Sequence, residues 1–174
     1  MKQLKEKFLP LSLTALIILA DQIVKAIIVK IKPEPGLIND VFNNDFLWIY
    51  HVRNKAIAFS LGENLPDAIK PVLFIGVPIL VLCFLLWYYI KSDDFTGLQR
   101  WAVAGIIGGG IGNIIDRIAR PDGVVDYISV RIFGLFGWER WPTFNIADSS
   151  VVVCSILLFI TILFITQKKE KINE

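Results

Sequence analysis

The sequence is short of the residues that most often carry metal and acid–base chemistry. Of its 174 residues one is histidine, His51, and two are cysteine, which excludes most histidine-based triads and zinc sites. Cys83 and Cys154 both fall inside apolar runs, so they read as small buried hydrophobes rather than a disulfide framework or a metal cluster. Charge is scarce too. A net charge of +2, scattered along the chain, argues against a nucleic-acid surface. The glycine-rich stretch Ala104 to Arg117 is not followed by Gly-Lys-Ser/Thr and has no strand signal before it, which argues against a phosphate loop.

Apolar residues are what the chain has in quantity. A hydrophobic content of 55% and a mean hydropathy of +0.59 place it among small polytopic membrane proteins. A bilayer core of ~30 Å needs about 20 mostly apolar helical residues, and four runs suit that length: 8–29, 71–90, 98–115 and 147–166. The first follows Lys2, Lys5 and Lys7 and resembles a cleavable leader, but no Ala-x-Ala site follows it and the run continues past Asp21. The expected fold is an all-α polytopic membrane protein, one domain over 1–174, with four transmembrane helices. Its longer loops, 31–70 and 118–146, form a small β-rich subdomain. Within the first of them, Phe46 to Val52 reads as a strand lying on the membrane surface, with Trp48 and Tyr50 suited to an interfacial belt. Lys and Arg are denser at the N-terminus, in the 91–100 turn and in the tail than in the long loops. Both termini are therefore expected in the cytoplasm and both long loops outside.

On that topology the polar residues converge. Asp21 lies about 20 Å along the first helix, counted from Phe8 at 1.5 Å per residue. Asp21 and Lys25 share a helical face and can neutralise each other, with Lys25 expected to snorkel outward. In the third run, Gly105 and Gly109, and Gly108 and Gly112, are small-xxx-small pairs that admit a neighbouring helix. The same face continues from Gly109 to Asn113 and Arg117, with Asp116 one residue aside. Helices one and three run outward while helix four runs inward. Asp21, Asn113, Asp116, Asn145 and Asp148 are thus expected near one membrane boundary, and Asp126 can fold back to it from a loop. Asp126 and Asp148 each adjoin apolar residues at the edge of a membrane-length run, where an ionisable group is a functional candidate. A loop aspartate and a helix N-cap are the plainer readings of the two.

These residues also carry a resemblance. Asp21-Gln-Ile-Val-Lys25, Arg53-Asn54 with Ala58-Phe59-Ser60, Gly109-Gly-Ile-Gly-Asn113 with Asp116-Arg117, Val125-Asp126-Tyr127 and Phe144-Asn145-Ile-Ala147-Asp148 together resemble lipoprotein signal peptidase. This family, also called signal peptidase II, comprises bacterial membrane aspartic proteases with four helices. The resemblance implies catalytic Asp126 and Asp148, with supporting or substrate-binding roles for Asp21, Lys25, Asn54, Gly109, Asn113, Asp116, Arg117 and Asn145. It implies no metal and no cofactor. Its substrates would be diacylglyceryl-modified prolipoproteins, cut just before the lipidated lipobox cysteine. Membrane lipids are the other expected partners, nucleic acid is not one, and the chain is expected to act as a monomer in the bacterial cytoplasmic membrane. One departure is visible, Asn54-Lys-Ala-Ile-Ala-Phe59 standing where the family has Asn-x-Gly-Ala-Ala-Phe. Two other classes compete with this reading. A small transporter or channel would more often show internal repeats and interrupted helices, and a Ser-Lys protease could draw on Ser149 or Ser150 with Lys25.

Overall fold

The computed structural model describes residues 7–55, 65, 66 and 68–173, with the side chains of the last helix described through residue 164. Four long helices appear among them: α1 (Leu11–Ile31), α2 (Val77–Lys91), α3 (Gly97–Ala119) and α4 (Ile146–Asn173). The segments Leu11–Ile31, Val72–Lys91, Gly97–Ala119 and Ile146–Phe164 are each long and apolar enough to cross a membrane, as the four runs lead one to expect. The third continues beyond its hydrophobic stretch, through Asp116 to Ala119. Helix outlasts hydropathy there because the charged side chains of its last turn find partners across the bundle.

The entry to α2 has a local cause. Pro78 has no N–H to give the carbonyl four residues back. The preceding turn, Val72–Gly76, is π-helical, and the Val77 N–H bonds to the Val72 carbonyl five residues earlier. At the other end of the bundle, Thr96 starts α3 with a capping box. Its side chain accepts from the Gln99 N–H while the Gln99 side chain accepts from the Thr96 N–H.

Helix α3 is the hub, packing against α1, α2 and α4. It is the least apolar of the four spans, yet 56% of its most apolar window is buried, against 22%, 11% and 6% for the others. Glycine makes that possible. A Cβ at Gly109 would collide with the Ala147 carbonyl and lie 2.7 Å from Val151 of α4, and one at Gly108 would lie 3.1 Å from the Thr14 backbone of α1. Small residues thus let α3 approach two helices at once, since packing supplies the association energy inside lipid.

Three antiparallel strands sit at one end of the bundle in the order β1 (Gly36–Asp40), β2 (Leu47–Asn54), β3 (Val124–Val130). The expected strand 46–52 is the middle one. Asp126, expected in a loop, lies instead in β3 opposite Val52. Val125 and Tyr127 pack with Ile28 of α1, so the strand is seated on the helical bundle.

Candidate active site

The site is built around the N-terminus of α4, where the first backbone N–H groups have no partner within the helix. Three elements supply acceptors. The Ile146 N–H donates to the Tyr127 hydroxyl at 3.2 Å, the Ala147 N–H to Asp21 Oδ1 at 3.1 Å, and the Asp148 N–H to Asn145 Oδ1 at 2.8 Å. The Asn145 N–H donates in return to Asp148 Oδ2 at 3.1 Å. Asn145 and Asp148 thereby form a reciprocal cap of the capping-box kind, so the capping position belongs to Asn145 and Asp148 stands three residues into the turn. One end of the fourth helix therefore fixes α1, β3 and its own first turn relative to each other.

Asn145 also joins the two candidate catalytic carboxylates. Its Nδ2 donates to Asp126 Oδ1 at 2.7 Å, while its backbone N–H holds Asp148. Asp126 is 2% exposed, and its second oxygen accepts from Asn54 Nδ2 at 3.0 Å. The register explains that bond. Asn54 pairs with Val124, two residues from Asp126, so the asparagine and the aspartate share one face of the sheet. Asp148 is half-buried and accepts from Asn113 Nδ2 at 2.7 Å. Asn113 Oδ1 accepts in turn from Asn145 Nδ2 at 3.1 Å and from Lys25 Nζ at 2.9 Å. Burial, followed by the negative charge of Asp148, pushes the Asp126 carboxyl up to about 7.

Beneath this pair lies a closed ionic cluster. Lys25 Nζ is 2.7 Å from Asp21 Oδ2 and 3.2 Å from Asp116 Oδ2, and all three side chains are fully buried. Asp116 Oδ1 pairs with Arg120, and Asp116 Oδ2 accepts the Val125 N–H at 3.0 Å. Gln22 Nε2 donates to Asp21, to Asp116 and to the Gly112 carbonyl. Two anions and two cations balance within the cluster. Charges buried away from water are tolerated when paired and hydrogen-bonded in this way, and removing one partner is costly.

Residues 13–164 match the family model for signal peptidase (SPase) II. The chain belongs to the signal peptidase II family. A lipoprotein signal peptidase of Treponema pallidum (strain Nichols) is 44% identical over 95% of this chain and 88% of that protein. One of Treponema denticola is 40% identical over 100% of this chain and 99% of its own length. Among solved structures, a bacterial membrane enzyme determined by the in meso method at 2.3 Å resolution superposes with a TM-score of 0.76. It is 29% identical, covering 92% of this chain and 90% of that one. Signal peptidase II membership makes the chain a peptidase and an integral membrane protein.

Within this signal peptidase II chain the hydrogen-bond network joins Asp21, Lys25, Asn54, Asn113, Asp116, Asp126, Asn145 and Asp148. Gly109 is one turn below Asn113, against α4. Arg117 goes elsewhere than toward Asp116: its guanidinium lies 5.5 Å over the Phe74 ring, within electrostatic reach of Asp126 and Asp148. Lys25 does not snorkel outward. Asp116, 91 positions along the chain, holds it inside. Ser149 and Ser150 donate to the carbonyls of Asn145 and Gly105, which gives no support to a Ser-Lys pair. Ala56-Ile57, Ala58, Phe59 and Ser60 fall outside the described residues. Gln22 and Tyr127, which the sequence shows beside Asp21 and Asp126 without an assigned role, and Arg120 are further members of the network. Only Arg120, four residues after Asp116 on the same helix, offered a spacing signal.

Proposed function

We propose that this chain is an aspartic endopeptidase of the membrane. On this reading it removes the signal peptide from diacylglyceryl-modified prolipoproteins, cutting before the lipidated lipobox cysteine, with Asp126 and Asp148 as the catalytic pair. The observation that carries the proposal is Asn145 holding one oxygen of each aspartate at the end of a bundle otherwise closed by paired charges. Two carboxylates held close together favour a state in which they share one proton. Asp148, at the positive end of α4 and accepting two N–H bonds, is suited to be the ionised partner. Asp126, enclosed in β3 with a carboxyl pushed up to about 7, is suited to be the acid. The assignment is a bias within a coupled pair.

The reaction then runs as a balanced proton exchange. Asp148 takes a proton from water as the water oxygen attacks the scissile carbonyl carbon, and Asp126 gives its proton to the carbonyl oxygen. A neutral gem-diol results. As the C–N bond breaks, Asp126 takes back a proton from a diol hydroxyl and Asp148 delivers its proton to the departing amine, which restores both groups. Asn54, Asn113 and Asn145 hold the carboxylates in place, Asp21, Lys25 and Asp116 fix the helices that carry them, and Gly109 lets α3 close on α4. Arg117 adds positive potential toward the pair.

The site lies on the extracytoplasmic side in this proposal, with both termini in the cytoplasm and the protein acting as a monomer in a bacterial cytoplasmic membrane. A cut at the membrane boundary suits a substrate whose acyl chains stay in lipid while its peptide bond meets water. The test is incubation of the purified chain with a diacylglyceryl-modified prolipoprotein and with its unmodified counterpart, products being read by mass spectrometry. The modified substrate should be cut immediately before the lipidated cysteine, with chelator and a serine reagent both present. Equal cleavage of the unmodified protein, or loss of cleavage to either reagent, would contradict the reading.

A further inference from the structure

The two arginines at the end of α3 part company. Arg120 turns to α1, pairing with Asp116 and donating to Gln22 Oε1 at 3.1 Å. Arg117 stands one turn beyond Asn113, on the face that meets Asp148, and reaches the other way, its guanidinium 5.5 Å over the ring of Phe74. Asp116 is already taken, one oxygen by Arg120 and the other by Lys25. Arg117 also borders a cavity of about 310 Å³, lined by Lys55, Lys70, Phe74 and Arg120 among others, which leaves a long side chain room to turn away from the aspartates. The ring stands at the mouth of that alternative. Phe74 is 5% exposed, whereas Val72 and Val77 beside it are 61% and 44% exposed.

The π-turn at Val72–Gly76 is the reason this side chain faces inward. Leu82 sets the seam between α2 and α3, standing where Gly110 has no side chain: a Cβ there would lie 2.8 Å from the leucine. Arg117 comes seven residues after Gly110, two turns along the same face of α3. Two α-turns back from Leu82, about 7 residues, end at Ile75. The π-turn inserts one more residue, so the seam falls on Phe74, eight residues back. With a plain α-turn, Ile75 would stand opposite Arg117, and an isoleucine has no aromatic face to offer a cation. Pro78, which breaks the α-helical bonding at this turn, thereby selects the side chain that meets the arginine.

We infer that Phe74 is a positioning residue: its ring holds the Arg117 guanidinium on the seam, aimed at Asp126 and Asp148, and it acts on that pair through the arginine. The inference rests on the catalytic role proposed for the two aspartates. A ring holds a cation without cancelling its charge, as a carboxylate would, and does so best where water is excluded. Arg117 lies within electrostatic reach of both aspartates. Lys25 from α1 and Asp148 from α4 also act on Asp126, and Asn54 of β2 and Asn145 hydrogen-bond it.

Steady-state cleavage of a diacylglyceryl-modified prolipoprotein by the full chain tests this, across pH, for Phe74→Leu, Phe74→Tyr, Arg117→Gln and the Phe74→Leu/Arg117→Gln double variant. Melting curves check folding, and Phe74→Met replaces Phe74→Leu if the latter does not fold. Phe74→Leu should lower kcat roughly fivefold, the scale of one cation–π contact, and leave KM nearly unchanged. It should also move the descending limb of the pH profile upward, because Asp126 loses a cation that favours its ionised form. Phe74→Tyr, which keeps the ring face, should restore both, and the double variant should be no slower than Arg117→Gln alone. Multiplied effects in the double variant would show that Phe74 acts independently of Arg117 and overturn the inference. An unmoved limb in Phe74→Leu, or wild-type kinetics in Arg117→Gln, would overturn it equally. Near-wild-type turnover by folded Asp126→Asn, measured alongside, would instead contradict the proposed catalytic pair, a result separable from the coupling between Phe74 and Arg117.

Discussion

Asp126, buried and close to Asp148, ties the stability of the fold to pH and, in the proposed mechanism, the activity as well. Its pKa is raised from 3.8 to about 7 by burial and by Asp148. Between those values the native state keeps a proton that the unfolded chain has released, so stability falls as pH rises through that window. The difference is worth up to about 4 kcal/mol. Asp126→Asn carries no such titration. Thermal melting from pH 4 to pH 8 should therefore show the variant gaining on the wild type as pH rises, with the gain levelling off above about 7. In the proposed mechanism turnover should move the same way for its own reason: there Asp126 is the acid that protonates the carbonyl oxygen and is lost as it ionises, so wild-type activity should decline as pH passes about 7. A pH profile with no descending limb there would show that Asp126 does not supply the proton.

At the scale of elements, the seam between α3 and α4 places Asn113 beside Asp148, and glycine sets its width. Gly109→Leu puts a side chain where the Ala147 carbonyl and Val151 already stand. Overpacking costs ~1–3 kcal/mol, and the separation it forces also lengthens the Asn113 to Asp148 bond. Both melting temperature and activity should fall, and wild-type melting would show that the seam yields without cost. This seam was legible in the sequence, because small-xxx-small spacing and helix alternation are enough to align Gly109, Asn113 and Asp148. Strand β3 was not legible. Val124 to Val130 has the length and the Val, Ile and Tyr content of a strand, but a charged Asp126 within it suits a loop equally well, and the pairing with β2 that decides between them joins residues about 75 positions apart in the chain. Arg120 at the end of α3 and Gln22 in the middle of α1 carry no local sign of a role, because the bond that joins them, Arg120 Nη1 donating to Gln22 Oε1 at 3.1 Å, spans two helices. Lys25 was recognised as half of an ion pair, yet its inward direction depends on Asp116, a partner that local spacing cannot supply.

For the whole molecule, four crossings return the chain to the side on which it began. Both termini should lie on one face of the membrane and the Asp126 strand on the other. Protease protection of tags at each end in sealed inverted vesicles, which expose the cytoplasmic face, checks the proposed orientation. Both tags should be cut together, and one cut with one protected would contradict the topology. Once seated in the bilayer, the fold brings α1, α3, α4 and β3 to a single point, and the central claim is that chemistry happens there through two aspartates. Single-turnover cleavage of a diacylglyceryl-modified prolipoprotein by purified Asp126→Asn and Asp148→Asn chains tests it most directly, with melting curves to confirm that each is folded. Each change should lower the rate by ~10²-fold or more, the scale of a lost general acid or base. Near-wild-type turnover in either folded variant would contradict the account.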